Sequence, residues 1–361
     1  MTKGYLILET GEEFIGDWIG SEIEMEGEVV FNTSMTGYQE MMTDPSYKGQ
    51  ILTFCYPIIG SYGVNDVDDE SKGIAVSAVV ISDVCDEPSH YQSTTSLTDK
   101  LKSENIPGLA NIDTRSLVAT IRKHGNVSGK ILKVKDARKT KQWKEKNSLE
   151  LVQSVSVNEQ ESYGDGHHHV VLVDFGYKKS ILKALLNQDC KVTIVPYNTE
   201  FETIASLHPD GVLISNGPGD PLALTAVLPT IKALTKNFPT LGICLGHQLI
   251  VLAYGGKTEK MPFGHRGGNH PVKDLATGKV YITAQNHGYV VIADSVDKEN
   301  FQISFQNVND KTVEGIKHVH LPVQSVQFHP EAHSGPSDTE YIFKDFIQQV
   351  VTLGGRRYVK A

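Results

Sequence analysis

Short apolar runs separated by polar punctuation fill the chain, and their rhythm changes twice. Residues 1 to 135 carry "YLILET", "EVVFNT", "QILTFCYP" and "GIAVSAVVIS", brief apolar or β-branched stretches bounded by Gly, Asp and Pro. They predict strands of a β-rich α+β domain. One segment among them, "DTRSLVATIRKHG", reads as a helix capped by Asp113 or Thr114 and stopped by Gly125. From 136 to 168 the chain is polar, highly charged and poor in core residues, which predicts a connector, with at most a short surface helix.

From 169 to 355 the pattern alternates. "VVLVDF", "KVTIVPY", "GVLISN" and "TLGIC" read as strands, and "YKKSILKALLNQ" and "FETIASLH" as helices between them. Ile181, Leu182, Leu185 and Leu186 fall at helical spacing. Such alternation predicts an α/β domain with an open, mostly parallel sheet flanked by helices. Later segments ("KVYITAQN", "FQISFQN", "TVEGIKH", "PVQSVQFH") are strand-rich. The last, "DTEYIFKDFIQQVVTLGG", is amphipathic, with Tyr341, Ile342, Phe346, Ile347, Val350 and Val351 on or near one face and Gly354 ending it.

Composition narrows the function. At 361 residues the chain is long enough for two domains. Its formal net charge of −9 argues against a nucleic-acid binder that neutralises many phosphates. No apolar stretch approaches the length of a spanning helix, and "MTKGYLILETGEEF" lacks the long apolar run of a signal peptide, so a cytoplasmic protein without membrane contact is expected. Cys55, Cys85, Cys190 and Cys244 form no C-x-x-C pair, which argues against a disulfide framework or a zinc site of paired cysteines. No cysteine or carboxylate group near the run His167–His169 completes a ligand set, and the run reads as solvated linker. No metal site is expected.

One cysteine differs from the rest. In "TLGICLGHQLIVLAY" Cys244 stands where a buried-strand pattern becomes a helix pattern, with Gly242 and Gly246 on either side. G-x-C-x-G is the thiol counterpart of the nucleophile elbow, whose sharp corner leaves no room for neighbouring side chains. The helix start favours thiolate over thiol, and the Leu245 N–H faces the position of a forming oxyanion. Three histidines are candidate bases. His247, one helical turn on, suits a structural hydrogen bond better than proton transfer. His287 lies in "AQNHGYVV". His329 follows an apolar strand in "VQFHPEAH"; an extended backbone before Pro330 would project Glu331 to the same side, giving nucleophile, base and orienting acid in the order Cys, His, Glu. "SNGPGDP" supplies Gly217 and Gly219, where backbone amides can approach a carbonyl oxygen or a carboxylate. "YGGKTEK" is no P-loop, because its required first glycine falls at Val251 and it follows a helix.

With Cys244, "SNGPGDP" and "FHPE" in that order, residues 169 to 353 resemble a class I glutamine amidotransferase domain. "FNTSMTGYQEMMTDPSYKGQILTFCYP" (31 to 57), "GNHPVKDL" and "AQNHGYVV" resemble the small subunits of carbamoyl phosphate synthetases, and that likeness covers nearly the whole chain. The resemblance implies glutamine hydrolysis through a γ-glutamyl thioester on Cys244, with His329 as base and Glu331 orienting it. It assigns glutamine contacts to Gly217, Gly219, Leu245, Gln248, Asn286, Gly288 and Tyr289, and one to Ser46 from the N-terminal domain. Some relatives carry Phe where this chain has Tyr289. It also implies a large-subunit partner, docked through the N-terminal domain, that uses ATP, magnesium and bicarbonate; no cofactor is expected in this chain. A higher oligomer of such heterodimers, and the arginine or pyrimidine destination of the carbamoyl phosphate, stay open. Two other readings compete: a free-standing cysteine hydrolase of γ-glutamyl compounds, and a catalytically silent regulatory subunit, against which the intact Cys244, His329 and Glu331 count.

Overall fold

The computed structural model describes residues 2–134, 143 and 147–353. The chain divides into two units, one formed by Met1–Lys146 with Met261–Gly267, the other by Asn147–Lys260 with Gly268–Ala361.

The first unit is built on a closed seven-stranded barrel. Its strands run around it in the order Lys3–Leu8, Glu13–Gly20, Pro107–Ala110, Ala78–Val80, Gln50–Phe54, Met25–Asn32 and Val127–Leu132. Lys3–Leu8 pairs with both Glu13–Gly20 and Val127–Leu132, which closes the ring and leaves no edge to aggregate. The helix Thr114–His124 begins under the Asp113 carboxylate, which accepts from the Ser116 N–H at 2.9 Å, and ends at Gly125 with φ of 85°. Residues Met261–Gly267 join this unit through particular contacts. The Asn126 side-chain amide donates to the Met261 carbonyl at 2.8 Å, and the Phe263 ring lies 6.2 Å from that of Phe31, with the Arg122 guanidinium 5.9 Å from its centre. Ser46 is buried here, in the turn Pro45–Tyr47, its N–H donating to the Asp44 carboxylate at 2.9 Å.

The second unit carries a ten-stranded sheet. At its centre Cys190–Pro196, His168–Asp174, Gly211–Ile214, Thr240–Ile243 and Val323–Val326 are neighbours in that order and parallel. The helices Lys179–Leu186, Phe201–Ser206, Leu228–Asn237 and Leu245–Ala253 lie between consecutive strands in the chain, as parallel crossovers require. Beyond Val323–Val326 the pairing turns antiparallel, through Val313–His318, Phe301–Asn307 and the end of Thr258–Asp274. The sheet is therefore mixed, where the sequence reading expected a mostly parallel one. After Gly255 the strands are joined without long crossover helices, and short connections yield antiparallel neighbours. Apolar side chains fill both faces of the parallel part: Val171, Val173 and Ile214 on one side, Leu172, Leu213 and Ile243 on the other.

Part of the expected connector is built into this unit. Asn147 caps the helix Ser148–Val155, whose Val152 is fully buried in the core, and Glu161–Tyr163 adds an edge strand antiparallel to Cys190–Pro196. Residues 136–142 and 144–146 of that expectation lie outside the described residues, as does Gly354. The three histidines diverge: His167 pairs with Asp189 at 2.7 Å, and His169 Nε2 meets the Thr193 hydroxyl at 2.8 Å.

Candidate active site

Cys244 sits between the strand Thr240–Ile243 and the helix Leu245–Ala253 with φ of 53° and ψ of −103°, a conformation that L-residues avoid. The turn is held by close packing. A Cβ on Gly246 would lie 2.2 Å from the Ile214 carbonyl oxygen, and one on Gly242 would meet Ile250 Cδ1 at 2.7 Å and the Gly246 carbonyl at 2.9 Å. Glycine is therefore required at both places, and the corner projects the thiol at the carboxyl end of the parallel strands. Leu245 is the first helical residue, so its N–H has no acceptor within its own helix.

The neighbouring parallel strand, Val323–Val326, leads to His329. Here the backbone differs from the extended segment the sequence suggests. The Ala332 N–H donates to the His329 carbonyl at 3.1 Å, closing a turn with Pro330 in its second position, which proline's fixed φ favours. The side chains still meet: His329 Nδ1 and Glu331 Oε1 are 2.6 Å apart, both buried. A third buried charge completes the row. Lys178 Nζ lies 3.2 Å from Glu331 Oε1 and donates to the carbonyls of Ala332 at 2.7 Å and His333 at 2.5 Å. Asp174 shapes the turn that delivers Lys178, accepting from the N–H groups of Val157, Gly176 and Tyr177 at 2.7 to 2.8 Å; burial pushes its carboxyl up to about 6.

Charges set the proton balance. Burial works against ionising either partner. Lys178 first and His329 second nevertheless bring Glu331 down to about 2. Burial likewise opposes the imidazolium, yet the Glu331 charge and the nearby Cys244 thiol raise His329 to about 10. The pair therefore favours the imidazolium beside its carboxylate, with Nδ1 on Glu331 and the buried Nε2 left for the Cys244 sulfur and an incoming group. His247 is the opposite case. Burial pushes it down to about 3, and its Nδ1 bonds the Ser325 hydroxyl at 2.8 Å, a structural role.

Other predicted residues surround the thiol. Cys244 Sγ is 3.8 Å from the Asn286 carbonyl, which lies on the strand Val280–Val291 with Gly288 and Tyr289. Gln248, one turn into the helix, donates to the Tyr289 carbonyl at 2.8 Å. His287 is buried on the same strand, bonded to the Tyr289 carbonyl and to Gln285. Gly217 approaches the helix start, where a Cβ would lie 2.9 Å from Leu245 Cδ2, and Gly219 has φ of 91°. Ser46 belongs to the first unit. Two residues escaped the sequence reading. Gln327 bonds Cys244 and Gln248, and its place two residues before His329 is the one available signal. Lys178 gives none, since its partner Glu331 is far along the chain.

A strained cysteine on a strand-to-helix corner, with an imidazole–carboxylate pair from the next strand, defines a class. Residues 171–349 match the family "Glutamine amidotransferase class-I". The particular family follows from the rest of the chain: residues 6–131 match "Carbamoyl-phosphate synthase small chain, CPSase domain". Over 349 residues the chain is 50% identical to the carbamoyl phosphate synthase arginine-specific small chain of Bacillus subtilis, covering 97% of each. It is 47% identical over 352 residues to the protein of the same name in Halalkalibacterium halodurans, covering 98% of each. It is 51% identical over 355 residues to the carbamoyl phosphate synthase small chain of Listeria monocytogenes, covering 97% of each. The chain belongs to the carbamoyl phosphate synthase small chain family.

Proposed function

We propose that this chain is the glutamine-hydrolysing subunit of a carbamoyl phosphate synthase and that Cys244, His329 and Glu331 carry the chemistry. Cys244 attacks the glutamine side-chain carbonyl as the thiolate, its proton having passed to His329, and forms a C–S bond. The oxyanion is held by the Leu245 N–H and a glycine N–H of the 217–219 loop; such a donor contributes about 3 kcal/mol. His329 gives its proton to the departing nitrogen as the C–N bond breaks, then takes one from water, whose oxygen displaces the sulfur and frees glutamate. Glu331 keeps the imidazole oriented and charged. Gln248, Asn286, Gly288 and Tyr289 hold the substrate.

The observation that carries this reading is the strained Cys244 beside the buried His329–Glu331 pair, 2.6 Å apart. Ammonia released to water would be protonated and lose its nucleophilicity. It therefore passes through protein to a large subunit that binds ATP and magnesium and uses bicarbonate. This chain itself takes no cofactor and acts in the cytoplasm; no helix among its described residues is long and apolar enough to cross a membrane. The names of two relatives support arginine synthesis as the destination of the product. The test is co-expression with a large subunit and assay of carbamoyl phosphate from glutamine or from added ammonia. Cys244→Ser is expected to lose the first and keep the second. Glutamine use that survives the substitution would refute the assignment.

A further inference from the structure

The side-chain amides near the sulfur can be oriented in only one way. The Tyr289 carbonyl only accepts, so the group facing it at 2.8 Å is the Gln248 NH2. That NH2 also reaches Gln327 Oε1, at 3.0 Å. With its oxygen used there, Gln327 directs its own NH2 at Cys244, Nε2 lying 3.6 Å from Sγ. Turning Gln248 over would set two oxygens against each other, and turning Gln327 over would set two N–H groups against each other. All three side chains are buried.

Besides the His329 imidazole, which the thiol helps to keep protonated, two neighbours of the thiol act in opposite senses. The Asn286 carbonyl, at 3.8 Å, accepts from S–H and repels a thiolate. An N–H donor favours the ionised sulfur. Gln327 thus joins the His329 imidazolium in offsetting Asn286 when the proton leaves.

We propose that Gln327 holds the Cys244 thiolate: its side-chain N–H steadies the ionised sulfur, and Gln248, anchored on the Tyr289 carbonyl, locks that amide in place. The inference rests on Cys244 being the nucleophile. A single row of hydrogen bonds then joins Gln248, at the substrate end of the site, to the attacking atom. The titratable groups about the thiol are His329, bonded to Glu331 and through it to Lys178, His247 on the helix that follows, and His287 on the strand of Asn286, bonded to the Tyr289 carbonyl. All are retained in the variants below.

Gln327→Met keeps the side chain's length and removes its donors. The rate at which iodoacetamide alkylates Cys244 in the full chain, read by peptide mapping, is expected to fall about tenfold at neutral pH. At alkaline pH it should match wild type. Gln327→Glu, which sets a carboxylate oxygen against the sulfur, should slow alkylation further. Gln248→Met, which unlocks the amide but leaves its donors, should slow it less. A Gln327→Met rate equal to wild type at neutral pH overturns the proposal. So does a slowing that persists at alkaline pH, the mark of a merely misshapen site. If Gln327→Met does not fold, Gln248→Met decides, and an unchanged pH profile there is refutation. Failure of the underlying reading looks different: glutamine turnover would then survive Cys244→Ser, and the proposal would fall with it.

Discussion

Replacing Lys178 with Met measures how much of the site's charge balance one buried ammonium supplies. Its Nζ is 3.2 Å from Glu331 Oε1, with side-chain exposures of 3% and 1%. At an effective dielectric constant of about 20, that separation corresponds to an attraction of about 5 kcal/mol. Desolvation offsets part of it, and removing one partner of a buried pair typically destabilises by about 3–5 kcal/mol. Methionine fills the same space but leaves the Ala332 and His333 carbonyls without their donor. The pH dependence has a definite sign. Glu331 is lowered on folding from 4.5 to about 2, so its contribution is complete above about 4.5 and is lost as pH falls through about 2. Without Lys178 the lowering shrinks. Stability at neutral pH should drop by about 3 kcal/mol or more, acid unfolding should begin at higher pH, and glutamine hydrolysis should fall. Urea unfolding followed by circular dichroism from acid to neutral pH checks this. A variant with wild-type stability and an unchanged acid limb would refute the reasoning.

Gly246→Ala should destabilise the chain by about 1–3 kcal/mol or more and abolish glutamine hydrolysis, because the new methyl meets the Ile214 backbone at 2.2 Å; calorimetry beside a glutaminase assay tests it, and an active, stable variant would contradict it. His247→Gln should cost about 1 kcal/mol of stability yet keep the wild-type pH–rate profile, since burial already holds this histidine neutral; a lost limb in the profile would make His247 the base. His329 is raised on folding from 6.5 to about 10, so its charge contributes stability that is complete below about 6.5 and is lost as pH rises through about 10. Unfolding measured across that range should show the decline in wild type and a flatter curve in Glu331→Gln; identical curves would contradict the pairing.

What the sequence revealed followed from local patterns. The corner at Cys244 was legible because strand, glycines and helix are contiguous, and the structure adds the positive φ and the backbone contacts that make the glycines necessary. The helix 114–124 was legible from Asp113 and Gly125. Three barrel strands, Glu13–Gly20, Pro107–Ala110 and Val127–Leu132, were not, because glycine or proline interrupts each run and only closure of the ring gives them partners. The His329–Glu331 contact was foreseen on a different backbone, since spacing does not distinguish an extended pair from a turn around Pro330. Lys178 and Gln327 illustrate the remaining limit. Their roles exist only through partners brought together by the sheet, and beyond Gln327's place two residues before His329 they leave no local mark.

The most direct test is to trap the intermediate. The complex is mixed with radiolabelled glutamine and quenched in acid within a turnover, and its peptides are mapped. Label should be found on the peptide carrying Cys244 as an acid-stable, base-labile thioester, and should be absent from Cys244→Ser. Label on the peptide of Cys55, Cys85 or Cys190, or rapid glutamine hydrolysis with no labelled peptide in either protein, would contradict the account.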